Sequence, residues 1–212
     1  MPSISVLLVD DHPVVRQGLR SLIDTQPDIK VIGEAEDGWE ALAAAKEKRP
    51  DVILMDLAIP RLNGIETTRK LRRECPSSRV LVLSTYSHDR MLDGALQAGA
   101  AGFVVKQTAA QDMLTGIRRV HSGQKYLSPA LERRLQRRAR GSPSESEPLR
   151  SLTLREAQVL QLIANGCSNR KIGAELGISV KTVEKHRQSV MKKLDIHETA
   201  GLTRYALGLE TT

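Results

Sequence analysis

Aromatic side chains are almost missing from this 212-residue chain, which has three tyrosines, one tryptophan and one phenylalanine. So few rings leave little on which successive bases could stack, which argues against a single-strand nucleic-acid platform, and the core must be aliphatic. Cysteine is equally scarce. Cys75 and Cys167 are too few and too far apart in sequence for a disulfide framework or a structural zinc site, which suits a reducing compartment. No apolar run approaches the roughly 20 residues of a membrane-spanning helix. The start, Met1-Pro2-Ser3-Ile4-Ser5, lacks the basic region of a secretory signal, so a cytoplasmic protein with no membrane partner is expected. Phosphate-cradling glycine loops are also missing. There is no G-x-x-x-x-G-K-[ST] and no G-x-G-x-x-G after the first apolar segment, so ATP is not the expected ligand.

Positive charge is present but unevenly placed. Residues 1–122 hold 16 Lys+Arg and 16 Asp+Glu, whereas residues 123–212 hold 16 Lys+Arg and 9 Asp+Glu, so the whole excess of +7 lies in the C-terminal part. That asymmetry points to an acidic polymer as partner of the second part alone.

The most informative stretch of the first part runs from Asp51 to Gly64. Val52, Ile53, Leu54 and Met55 lead straight into Asp56, and Pro60 and Gly64 then break the chain. This is the pattern of a buried strand delivering a carboxylate to an exposed loop. Ile4 to Val9 repeats the layout and ends in Asp10-Asp11. Helical spacing follows Pro13 through Val14, Val15, Leu19, Leu22 and Ile23. Further strands are expected at 31–32, 80–83 and 103–105, with helices at 40–48, 65–75, 91–98 and 113–120. Five alternations at crossover spacing predict an α/β domain with a five-stranded doubly wound parallel sheet.

Ligands of such sheets gather beyond the carboxyl ends of the strands. There the sequence puts Asp10 and Asp11, Asp56, Ser84 with Thr85, and Lys106. Three neighbouring carboxylates repel one another and must bind a cation or shift a pKa, and an all-oxygen set with open positions suits Mg²⁺. A carboxylate to attack, a divalent metal, an ammonium and a hydroxyl are the parts needed to transfer a phosphoryl group to an aspartate.

With these residues in place, residues 3–122 resemble the receiver domain of bacterial two-component response regulators. The resemblance implies Asp56 as phosphoacceptor, and Asp11 as a direct Mg²⁺ ligand supported by Asp10. It also implies a further metal ligand in the Ala58 backbone carbonyl, and Ser84, Phe103 and Lys106 as the switch hydroxyl, switch aromatic and pairing lysine. Ile59 and Gln107 depart from the commoner pattern without removing a reacting group.

From His121 to Leu149 the apolar pattern lapses. Pro129, Ala130, Leu131 and Leu135 permit a short helix made basic by Arg133, Arg134, Arg137, Arg138 and Arg140, and residues 141–148 have the composition of a tether. Residues 123–148 are therefore expected to be a basic interdomain linker between a first domain over 1–122 and a second over 149–212.

Helical periodicity returns at Leu152. Thr153-x-x-Glu156 is a capping box, Gly166 closes the helix it opens, and Ser168 caps the next. Gly177-Ile178-Ser179 forms a turn into a third helix from Val180 to about Leu194, and a fourth follows from Glu198, predicting an all-α four-helix domain with a helix-turn-helix. At about 100° per residue, Val183, Val190 and Leu194 share one side of the third helix. Lys181, Glu184, Lys185, Gln188 and Lys192 share the other. Lys185, Gln188 and Glu184 are the types that reach base edges in a major groove, while Lys181, Thr182, Arg187 and Lys192 are placed for phosphates.

The segments Leu154-Arg155-Glu156, Ala164-Asn165-Gly166, Ser168 to Ile172 and Lys181 to Arg187 look like the DNA-binding domain of the NarL/FixJ/LuxR type, with Lys171 where Glu is frequent. The combined resemblance implies a transcriptional response regulator, not an enzyme. Its expected partners are double-stranded DNA, a sensor histidine kinase, a second copy of the chain when phosphorylated or DNA-bound, and RNA polymerase. Two other readings remain. One is a DNA-binding regulator whose receiver only docks proteins, and the other is an aspartyl-phosphate phosphotransferase, which Ala58 disfavours because it stands where a second catalytic Asp would.

Overall fold

The computed structural model describes residues 3–84, 89–106, 110–139, 152–164 and 166–206. The expectations for Thr85, Gln107, Arg140 and residues 141–148 lie outside them, as do the side chains of Arg134, Arg137 and Arg138. The described residues divide into two compact units, the first holding residues 3–84 and 91–139 and the second residues 152–206.

The first unit alternates strand and helix in the order β1 (Ile4–Val9), α1 (Pro13–Asp24), β2 (Ile29–Ala35), α2 (Gly38–Lys48), β3 (Val52–Met55), α3 (Gly64–Glu74), β4 (Arg79–Ser84), α4 (Asp89–Gln97), β5 (Gly102–Val105), α5 (Ala110–His121), β6 (Tyr126–Leu127) and α6 (Pro129–Ala139). The sheet order is β2-β1-β3-β4-β5-β6, and every pairing is parallel. β3 is buried along its whole length, as its unbroken apolar run requires when helices cover both faces. Asp37 caps α2 by accepting the N–H groups of Trp39 and Glu40, and Asn63 caps α3 by accepting that of Glu66.

The sheet has six strands where five were expected. β6 lies inside the stretch read as linker and pairs with β5, Tyr126 opposite Gly102 and Leu127 opposite Phe103. Tyr126 N–H donates to the Ala101 carbonyl at 3.1 Å and Ser128 N–H to the Phe103 carbonyl at 3.0 Å. Two glycines admit it. A Cβ on Gly102 would stand 2.7 Å from the Tyr126 carbonyl oxygen, and one on Gly116 of α5 would stand 2.9 Å from the Tyr126 ring. A two-residue strand has no period to detect, so the fit shows only in three dimensions.

The second unit contains α7 (Leu154–Ala164), α8 (Asn169–Leu176), α9 (Val180–Leu194) and α10 (Thr199–Ala206). Leu152, Val159, Leu160, Ile163, Ile172 and Val183 are among the buried side chains of its aliphatic core. The turn from α8 to α9 is compact because Gly177 takes the left-handed conformation, φ 63°, and Gly173 has no side chain. A Cβ on Gly173 would come within 2.8 Å of the Ile178 carbonyl oxygen.

Candidate functional site

The acidic site of the first unit is assembled by strand ends. β1, β3, β4 and β5 are neighbours, so residues following them line up along one edge. Asp10 N–H donates to the Ala35 carbonyl at 3.2 Å and Asp56 N–H to the Val9 carbonyl at 2.9 Å, which fixes both acids at the rim. Lys106 N–H donates to the Ser84 carbonyl at 2.9 Å, tying the ends of β4 and β5. Gly64 lets the start of α3 press against the Asp56 backbone, since a Cβ there would lie 2.2 Å from the Asp56 carbonyl oxygen.

Lys106 Nζ donates to Asp10 Oδ2 at 2.6 Å and to Asp56 Oδ2 at 2.7 Å, bridging the two buried carboxylates. The Ala58 N–H donates to Asp56 Oδ1 at 3.2 Å. His12 N–H donates to Asp10 Oδ1 at 2.9 Å. Ligand atoms of Asp10, Asp11, His12 and Asp56 all lie within 4.8 Å of one another. Asp11 Oδ1 is buried and makes no hydrogen bond, although His12 Nδ1 stands 2.8 Å away. Such an oxygen in an acidic cluster is poorly satisfied by the protein alone, and its chemistry fits a hard divalent cation.

The electrostatics agree. Burial pushes the Asp56 carboxyl above its usual range, against the pull of Lys106 and with the repulsion of Asp10 added. Burial also raises Asp11, His12 opposing and Asp10 reinforcing the shift. For Lys106, burial alone would lower the pKa, but Asp56 and Asp10 outweigh it and the ammonium is held above its usual value.

The structure thus brings Asp10, Asp11, Asp56 and Lys106 into one cluster, with Ala58 bonded to Asp56. Ser84 is fully buried at the end of the adjacent β4, and Phe103 is fully buried on β5. Two supporting residues were missed by the sequence reading. Arg16, 7% exposed, donates from Nη1 to the Asp10 carbonyl at 2.6 Å, from Nε to Glu34 at 3.1 Å and from Nη2 to Glu36 at 2.6 Å. Its signal was a charged residue at helical spacing with the inward Leu19 and Ile23. Arg61 takes a left-handed conformation, φ 59°, in the loop after Asp56, and its guanidinium pairs with Asp37 and Glu40 of the α2 region. No sequence pattern marks it, because the pairing joins the loop after β3 to the start of α2.

In the second unit the capping box forms as expected. Thr153 N–H donates to Glu156 Oε2 at 2.6 Å and Glu156 N–H to Thr153 Oγ1 at 3.3 Å. Glu156 does more than cap: Ser189 Oγ donates to its Oε1 at 2.5 Å and Lys193 Nζ to its Oε2 at 2.7 Å, fastening α7 to α9. Burial would raise its pKa, but Lys193, Ser189 and Thr153 hold the carboxyl down to about 2. Ser179 caps α9 by accepting the Thr182 N–H at 3.1 Å. Val183, Val190 and Leu194 face the core, while Lys181, Glu184, Lys185, Gln188 and Lys192 are exposed. Thr182 and Arg187 are half-buried and have partners within the unit, Ser179 for the first and the Thr199 hydroxyl, at 2.9 Å, for the second.

Comparison with known proteins matches each half of the chain to a family. Residues 6–118 match the response regulator receiver domain family, and residues 150–206 match the luxR family of bacterial regulatory proteins. The transcriptional regulatory protein LiaR of Bacillus subtilis is 39% identical over 203 residues, covering 96% of each chain. The response regulator protein VraR of Staphylococcus aureus is 36% identical over 204 residues, again with 96% of each covered. Among solved structures, the Salmonella typhimurium RcsB response regulator is similar over 100% of both chains at a TM-score of 0.72 and 26% identity. RcsB bound to promoter P1flhDC with the phosphomimetic BeF3⁻ is similar over 97% of this chain and 99% of that one, at a TM-score of 0.69 and 26% identity. This chain belongs to the two-component response regulators of the LuxR type, which are DNA-binding regulators of transcription and not enzymes.

Proposed function

We propose that Asp56 accepts a phosphoryl group from a sensor histidine kinase, and that this modification controls how residues 149–212 engage DNA. The observation that carries the reading is the meeting of Asp56 with Lys106 and the acid pair Asp10 and Asp11 at adjacent strand ends. Asp11 and Asp56, with Asp10 in support and the Ala58 carbonyl as a further ligand, are the groups that would hold Mg²⁺. The metal supplies charge neutralisation for the phosphoryl oxygens when bound. Lys106 adds a fixed positive charge and can exchange its contact with the Asp56 carboxylate for one with the phosphoryl group. Ser84 supplies a hydroxyl to the same group, and Phe103 repacks with it. Phosphorylation acts by stabilising one of two arrangements, so it changes DNA binding only as far as the phosphoryl group prefers that arrangement.

Residues 1–122 carry this chemistry, 123–148 extend the first unit by β6 and α6 and lead on to the second, and 149–212 read the duplex. Lys185, Gln188 and Glu184 address base edges, and Lys181, Thr182, Arg187 and Lys192 address phosphates. The chain acts in the cytoplasm, dimerises when phosphorylated or DNA-bound, and meets RNA polymerase at the promoter. RcsB, similar along both halves, binds promoter DNA in the presence of a phosphomimetic, which supports reading the two halves of this chain as one switch.

The test is selection from random duplexes by the native chain and Asp56→Asn, each with and without acetyl phosphate and Mg²⁺. Treatment should raise the affinity of the native chain for its selected sequences and leave the variant unchanged. Equal affinity in all four samples would favour the second reading, a phosphorylation-independent regulator whose receiver is a docking module.

A further inference from the structure

A cleft of about 270 Å³ opens at the amino ends of β4, β5 and β6, the opposite end of the sheet from Asp56. Arg72 from the last turn of α3, Arg79 from the start of β4, and Gln124 and Lys125 from the turn before β6 line it, and no carboxylate among the described residues does so. Arg16, Arg20, Lys46, Arg69 and Arg118 of the same unit each pair with a carboxylate. Arg72, Arg79 and Lys125 have no side-chain partner among the described residues. Three elements therefore direct to one concavity cations that no described carboxylate pairs. The Arg72 stem lies against Gly99: a Cβ there would stand 3.0 Å from its Cγ and 3.2 Å from its Cδ, so a side chain would push the stem aside by a few tenths of an ångström. Gln124 Oε1 accepts from Arg119 Nη1 at 2.8 Å, which leaves the amide nitrogen as a further donor.

We propose that this cleft binds a compact polyvalent phosphate anion of the pyrophosphate class. Guanidinium groups present paired donors that match phosphate oxygens, and three cations call for more than one negative charge. The volume falls just short of the roughly 300–1,000 Å³ typical of drug-sized ligands, which favours a bare diphosphate over a whole nucleotide. Its position gives it a consequence. Lys125 directly precedes β6, so an anion bridging Arg72, Arg79 and Lys125 ties that turn to α3 and β4 and stabilises the seating of the short sixth strand. The site is independent of Asp56 and of the phosphoryl chemistry proposed there.

The experiment is titration calorimetry of the full chain with inorganic pyrophosphate, without metal and at constant ionic strength. Amide chemical shifts of Gly99, Ala101 and Gly123 locate the binding. Native protein should bind saturably with shifts at those amides, and Arg72→Gln/Arg79→Gln should weaken binding about tenfold or more. Lys30→Gln/Arg73→Gln removes the same charge outside the cleft and should stay within about twofold of native. No saturable binding, equal loss in both double variants, or shifts confined to α9 would overturn the proposal. A parallel titration with ADP separates the sources: binding no tighter than pyrophosphate supports an inorganic anion, and much tighter binding overturns the preference for a bare diphosphate.

Discussion

Replacing Glu156 with glutamine tests whether the second unit is fastened by charge. Glutamine preserves the side-chain length and can still complete a capping box, so what it removes is the negative charge facing Lys193 and Ser189. The carboxyl, ordinarily near 4.5, is held to about 2 in the folded chain. At 1.36 kcal/mol per pKa unit that is on the order of 3 kcal/mol, and about 2 kcal/mol after allowing for solvent around the partly exposed ammonium of Lys193. The depressed pKa sets the sign. The stabilisation is fully present above the ordinary carboxylate range and is lost as pH falls from about 4.5 towards 2. In a domain of this size, about 2 kcal/mol corresponds to a Tm lower by roughly 10 °C. Calorimetric scans of the full chain at several pH values measure the shift, with hydrogen exchange in α7 and α9 identifying the transition. The difference between native and variant should be largest near neutral pH and shrink in acid. A difference of the same size at pH 7 and pH 3 would refute the charge-based explanation.

Four further outcomes follow from named contacts. Because burial raises the Asp56 carboxyl, its ionisation opposes folding once pH passes the ordinary carboxylate range. Asp56→Asn should therefore raise the Tm of the metal-free protein at neutral pH and lose that advantage in acid; a variant less stable than native at neutral pH would contradict this. Arg16→Gln breaks the bond to the Asp10 carbonyl and should weaken Mg²⁺ binding about tenfold by calorimetry, as loss of an outer-shell contact commonly does; unchanged affinity would leave Arg16 a purely structural residue. Gly116→Val should expel Tyr126 and speed hydrogen exchange at the Tyr126 and Ser128 amides while β1 and β3 stay protected, whereas unchanged exchange at those amides would mean the glycine is not what seats β6. Lys185→Ala or Gln188→Ala should relax sequence preference by about 1–3 kcal/mol at one base position, and Lys192→Ala should weaken all sequences alike; a uniform loss from all three would remove the base-reading assignment.

What was legible in the sequence was what repeats or punctuates. Two apolar runs ending in acid located Asp10, Asp11 and Asp56, and the single Lys106 after a short apolar run completed the cluster. The capping box placed the start of α7, and helical spacing separated the core face of α9 from its exposed side. What stayed hidden depends on distance across the fold. β6 is two residues long and owes its place to the bare surfaces of Gly102 and Gly116. Glu156 looked like a local cap, yet its second role depends on Ser189 and Lys193, more than thirty residues away. Helical spacing puts Arg16 on the inward side of α1, but its partners, the Asp10 carbonyl with Glu34 and Glu36, show only in the fold. Each of these is a long-range polar or steric match, and no local period encodes such a match.

The central claim rests on Asp56, and intact-mass measurement after incubation with acetyl phosphate and Mg²⁺ tests it most directly. The native chain should gain a single phosphoryl group, Asp56→Asn should gain none, and omitting Mg²⁺ should suppress the gain. An unmodified native chain, or an adduct that survives the substitution, would contradict the account.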